Sequence, residues 1–251
     1  MKKLFKSVLL LAAAGTMTLG FGSCSDNNEE SGNGTNTATE EEVFLGKVLS
    51  NYVDATVNPT YKEMAIHAET LYAQLKALRD AVEQGNATEA QVKAACDSWK
   101  KARAAYESSE AFLMGAASDY NIDPHIDTWP LNLSSLHALL KGPGLAQYTT
   151  ADDADNINNA HDNLGNSLLG FHAIEFVIFR NGQPRAVSSF NNTFDDYSDR
   201  ENFTDINPID ELKYAVAVAG DLMYSTYMME VCWSGGTEAH KQALKELDWT
   251  T

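Results

Sequence analysis

From Glu40 onward the apolar positions recur at steps of three and four, the spacing of helices that bury one face. Phe44, Val48 and Tyr52, flanked by Leu49 and Val53, form the first such face. Asn58-Pro59 then predicts a fresh helix start, with Asn as cap and Pro at the first helical position. Its seam runs Met64, Ala68, Leu71, Leu75, Leu78, Val82 and stops at Gly85, a residue suited to a helix C-terminus. Thr88 with Gln91 three residues on predicts a capping box for the next helix. A short helix from Asn132 (Leu133, Leu136, Leu140) ends at Gly142-Pro143-Gly144. Another is predicted to start at Asp152 or Asp153 and run through Leu164, Leu168, Phe171, Glu175 and Ile178. Asn207-Pro208 repeats the start signal before Leu212, Ala215, Ala219, Leu222, Thr226, Met229 and Trp233, closed by Ser234-Gly235-Gly236. Between these lie an irregular stretch, 115–130, and a long aromatic linker, 181–207. No strand-length alternation stands out, so the fold class is all-α, an up-and-down helical bundle.

Two stripes carry ionisable groups where a seam should be apolar. Continued from Val92, the third seam reads Cys96, Trp99, Arg103, Tyr106, Glu110, Leu113. The solvated face is already supplied by Lys93, Asp97, Lys100 and Lys101. Burying an ion costs several kcal/mol unless it is paired, so Arg103 and Glu110 are expected to meet partners inside. The second stripe is Gly170 to Arg180, the most apolar run of the mature chain, which carries His172 and Glu175 three residues apart and therefore on one helical face. An imidazole and a carboxylate so placed can hold a metal, move a proton, or simply bond each other. Two inward carboxylates, Glu110 and Glu175, would repel unless a cation, Arg103 or a proton stood between them. Asp123, His125 and Asp127 alternate in the irregular stretch and offer further oxygen and nitrogen ligands, or helix caps.

The formal net charge of -17 at pH 7 excludes the basic footprint that nucleic-acid binding needs. Lys2, Lys3 and Lys6, the apolar run Val8 to Leu19 and the small step Gly22-Ser23 predict a signal peptide over 1–23. Cys24 follows at the cleavage point, as in a lipobox, so a lipid-modified Cys24 is the expected mature N-terminus, firmly held by its acyl chains. Residues 24–38 read as a lipid-anchored tether and 39–251 as the helical domain. Cys96 and Cys232 both fall on apolar faces and are expected as separate buried thiols.

Three motifs in order, Trp99-x-x-x-Arg103-x-x-Tyr106-x-x-x-Glu110, Ile122-Asp123-Pro124-His125-Ile126-Asp127-Thr128-Trp129-Pro130 and Gly170-x-His172-x-x-Glu175, resemble the imelysin-like family. That family takes in insulin-cleaving outer-membrane proteins, iron-regulated proteins and parts of bacterial iron-uptake systems. Its members continue past where this chain stops, so the resemblance implies a first helical bundle and part of a second. It also implies that Arg103 and Glu110 share a site with His172 and Glu175. The expected function is a cell-envelope lipoprotein, periplasmic or surface-exposed, that binds a metal ion in iron uptake. His172, Glu175 and Glu110 are the expected ligands, with Arg103, Asp127 and His125 around them. Such donors suit iron, manganese or zinc; the resemblance favours iron, with zinc next, and the outer membrane and iron-transport components are the expected partners. A metallopeptidase of the imelysin type is the first alternative. It asks for a second His, which the residue after Glu175 (Phe176) does not supply, leaving His67, His137, His161 or His240 to be brought close by folding. A binding module without metal is the second.

Overall fold

The computed structural model describes residues 38–150, 153–191, 203 and 205–246. The leader, Cys24, most of the tether and Asp152 lie outside the described residues. Eleven α-helices account for nearly all regular structure among the described residues. Three long ones organise the rest: α2 (Asn58–Glu83), α3 (Glu89–Ser109) and α10 (Pro208–Ser234). α2 lies along both of the others. The seam positions Met64, Ala68, Leu71, Leu75 and Leu78 are fully buried, as are Leu212, Ala215, Ala219, Leu222, Thr226 and Met229 on α10.

Several local signals act as their chemistry predicts. Thr88 and Gln91 form the reciprocal capping box, and the Asn207 side chain accepts from the Ile209 N–H at the start of α10. Asn132 caps α6 (Leu133–Lys141). Asn58 does not act as a cap. α1 (Glu40–Tyr52) runs into α2 through a π-helical turn, Val53–Val57, and Asn58 is itself helical. A proline lacks an N–H and crowds the carbonyl four residues back; the widened turn just before Pro59 accommodates that without ending the helix. α1 buries none of its residues, and Phe44, Val48, Leu49 and Tyr52 are all exposed.

The helix predicted from Asp153 to Ile178 is two helices. α7 (Asp153–Asn163) ends, a 3-10 turn follows over Asn166–Leu168, and α8 (Gly170–Ile178) starts afresh after the extended Leu169. The irregular stretch holds two short helices, α4 (Ala116–Asp119) and α5 (Ile122–Ile126). After α8 a two-residue hairpin pairs β1 (Phe179–Arg180) with β2 (Gln183–Pro184) around Asn181-Gly182, both at positive φ. Asn-Gly is the strongest short hairpin signal a sequence carries. It leads into α9 (Val187–Phe190), and α11 (Glu238–Glu246) closes the described chain. Cys96 and Cys232 are both free thiols. Cys96 is buried, whereas Cys232 is exposed, because α10 reaches the surface near its C-terminus.

Gly170 explains where α8 begins. Its φ is +73°, and a Cβ there would stand 1.9 Å from the Ile126 carbonyl oxygen. The α5 backbone therefore lies directly on the start of α8, a contact that only glycine permits. A left-handed residue with a side chain costs about 1–2 kcal/mol before any clash is counted. Gly170→Ala should therefore lower stability by more than about 2 kcal/mol, whereas Gly46→Ala on α1, with nothing within 4 Å of the added carbon, should not lower it. Chemical denaturation of the two variants checks this; equal midpoints would contradict the close approach.

Candidate functional site

α3 presents Trp99, Arg103 and Tyr106 on one face, and all three hold the start of α8. The Trp99 indole Nε1 donates to the Phe171 carbonyl at 2.9 Å. The Arg103 guanidinium lies over the rings of Tyr106 and Phe171, at 4.9 and 5.5 Å. The Tyr106 hydroxyl donates to Asp123 Oδ1 at 2.6 Å, which fastens α5 to α3. Ile122 and Ile126 are buried beneath α5.

On this frame His172 and Asp127 meet. His172 Nε2 is 3.2 Å from Asp127 Oδ1, and its Nδ1 is 3.1 Å from Glu175 Oε2. Arg103 ion-pairs with the same Asp127 oxygen and with Glu107 on its own helix. The side chains of His172, Asp127 and Arg103 are 16%, 14% and 18% exposed, and that of Glu175 is 44% exposed. The exposed Trp129 indole lies 4.7 Å from the imidazole, ring centre to ring centre. The result is a chain of alternating charge, Glu107–Arg103–Asp127–His172–Glu175, buried in the middle and open at the Glu175 end.

Three of the sequence-predicted site residues stand elsewhere or differently. Glu110 is exposed and no described contact joins it to His172 or Glu175. α3 ends at Ser109 and tightens into a 3-10 turn of three residues per revolution. Ser109, the last residue of α3, and Phe112 face inward, and Glu110, at the junction between the two helices, faces solvent. Glu175 is half-exposed, so the expected repulsion between two buried carboxylates does not arise. His125 does not face His172. It sits two residues before Asp127, about 200° round a helix, and its Nε2 meets Asp221 of α10 instead. Asp123, His125 and Asp127 thus reach three different partners. No second imidazole shares a metal-binding cluster with His172 among the described residues; His137 pairs with Asp205 and His240 with Glu230.

The sequence reading also passed over the carboxylates that are deeply buried. Glu211, Asp221 and Glu230 all lie on α10, at 2% exposure or less. Glu211 faces the fully buried Arg185 at 3.0 Å. One signal was available: α10 has apolar residues on every side, as a central helix does, so its acids had no solvated face to occupy.

The network sets the protonation of His172. Hydrogen bonds that the imidazole donates to Asp127 and then to Glu175 raise its pKa to about 9, against the opposing effect of burial. Burial works to raise that of Asp127, but hydrogen bonds from His172 and Arg103 outweigh it and hold the carboxyl below its ordinary range. A raised histidine pKa stabilises the fold fully below its unfolded value and loses that contribution as pH climbs through the folded value. Stability should therefore fall between about pH 6.5 and the His172 pKa of about 9. Asp127→Asn should shrink that slope and lower the His172 pKa, with Glu175 left as the remaining partner. Imidazole proton shifts followed by NMR against pH in metal-free protein check both; a His172 titrating near 6.5 in the parent would refute the network.

The chain as a whole is similar to known proteins. A 144-residue stretch, 57% of this chain, is 27% identical to iron-regulated protein A of Synechococcus elongatus and covers 34% of that protein. The fold matches the crystal structure of a protein assigned as an iron-regulated protein A precursor from Parabacteroides distasonis, with a TM-score of 0.58 and 24% identity. That match covers 86% of this chain and 53% of the solved one, so this chain spans about a third and about half of the two relatives' lengths. No described helix is long and apolar enough to cross a membrane. The family model described as imelysin, Peptidase_M75, matches residues 57–250, most of the chain, and the protein belongs to the imelysin family.

Proposed function

We propose that this protein is an iron-handling lipoprotein of the cell envelope, and that the Gly170-x-His172-x-x-Glu175 helix supplies its ion-binding residues. The observation that carries this reading is the setting of the imidazole. Asp127 holds Nε2, with Arg103 behind it, while Nδ1 looks at a half-exposed carboxylate 3.1 Å away. A histidine whose far nitrogen is bonded to a carboxylate is oriented and made more basic as a ligand. An ion would take the place of the proton between Nδ1 and Glu175, and the open Glu175 end leaves room for water or another ligand. An imidazole with a carboxylate suits iron, manganese or zinc. The names of the two relatives connect those proteins with iron regulation. Lipid attachment at Cys24 would place the domain on the outer membrane, beside iron-transport components. A zinc peptidase would need a second imidazole at His172, and the described residues bring none there.

Ferrous or ferric ion, offered to the soluble chain from Ser25, should bind at about one ion per chain at this site and at least tenfold more weakly after His172→Ala or Glu175→Ala. Asp127→Asn should weaken binding by a smaller factor, since it removes an orienting group and no ligand. Calorimetric titration decides: binding unchanged in both ligand variants would sink the assignment, and a folded parent that binds no ion at all would make the buried pair structural.

A further inference from the structure

A second group of side chains converges away from His172, on the other side of α5. Asp221 stands in the middle of α10 with its carboxylate wholly buried. His125 from α5 places Nε2 at 2.9 Å from each of its oxygens. His161 from α7 places Nδ1 at 2.9 Å from Oδ1. The two rings are 5.0 Å apart, centre to centre, and one donor atom from each residue lies within 4.8 Å of the others. The His161 side chain is 37% exposed, so the group has a route to solvent.

We propose that His125, His161 and Asp221 form a binding site for a divalent first-row transition ion, ferrous iron or zinc, separate from the His172 site. A lone buried carboxylate needs one positive partner, and His125 alone, close to both oxygens, would serve. Here a second imidazole arrives from a different helix and points at the same oxygen. Were both rings protonated, two like charges would face each other 5.0 Å apart. A divalent ion replaces both protons and accepts a lone pair from each ring together with the carboxylate. Bonds of about 2.0–2.2 Å to nitrogen and oxygen put neighbouring ligand atoms roughly 3 Å apart, which is the spacing His125 and His161 already keep from Asp221. Two imidazoles and one carboxylate with open positions are the donor set of ferrous and zinc sites. The ion would tie together residues 125, 161 and 221, from α5, α7 and α10. Because Asp127 follows His125 by two residues, it would also brace the segment that holds His172.

The probe is zinc ion alone, and ferrous ion under anaerobic conditions, titrated calorimetrically into untagged protein. The His172→Ala variant should retain about one ion per chain. Adding His161→Ala to it should weaken that binding at least tenfold, while its helical circular dichroism stays unchanged. Ring resonances of His125 and His161 should shift together on saturation. Asp221→Asn is a second variant of the same prediction; His161, partly exposed, carries the test should the buried substitution unfold the chain. A His172→Ala protein that binds no ion overturns the second site and supports the first. Binding that survives His161→Ala unchanged also overturns it. Loss on His161→Ala with none on His172→Ala supports the second site and sinks the first.

Discussion

The architecture around His172 depends on one close approach, the Ile126 carbonyl resting where a Gly170 side chain would be. The contact does two things at once. It forces α8 to begin at a left-handed residue, breaking it from α7. It also brings the end of α5 across the first turn of α8, so that Asp127 arrives beside His172. Trp99, Arg103 and Tyr106 then act from α3 as the floor beneath both elements. The glycine of the Gly-x-His-x-x-Glu motif is thus a steric requirement on the backbone, and it stands two residues, about half a helical turn, before the imidazole.

A second constraint comes from the centre of the bundle. α10 is buried nearly all round, yet it carries three acids that water does not reach. Each is met by a basic group from a different peripheral segment: Arg185 after the hairpin, His125 and His161 from α5 and α7, and His240 from α11. Removing one partner from such a pair costs about 3–5 kcal/mol, because a charge is stranded. The acids of α10 therefore specify where the shorter elements must dock, in a way that apolar contacts alone, which tolerate rearrangement, would not.

Both constraints pass through α5, a helix of five residues. It is fastened to α3 through Asp123, to α10 through His125 and to α8 through Asp127. A segment this short has no stability of its own; three polar attachments and two buried isoleucines give it a fixed position. It is the physical link between the His172 network and the His125, His161 and Asp221 cluster.

The sequence by itself determined the all-α class, the seams of α2 and α10 and the caps at Thr88, Asn132 and Asn207, and its motif resemblance pointed to Arg103 beside His172 while leaving Asp127 and His125 as alternatives. These follow from periodicity, from local backbone chemistry and from motif resemblance, and they need little knowledge of distant neighbours. Only the tertiary structure decided that Glu110 leaves the seam, that Pro59 is absorbed in a π turn, that His125 turns toward Asp221, and that α10 has no solvated face. Each of these depends on a change of helical period or on a partner far away along the chain. α3 gives way to a 3-10 turn at Glu110, which faces solvent, and a residue 96 positions away claims His125. Helical spacing fixes which residues share a face, but it holds no information about what that face will meet.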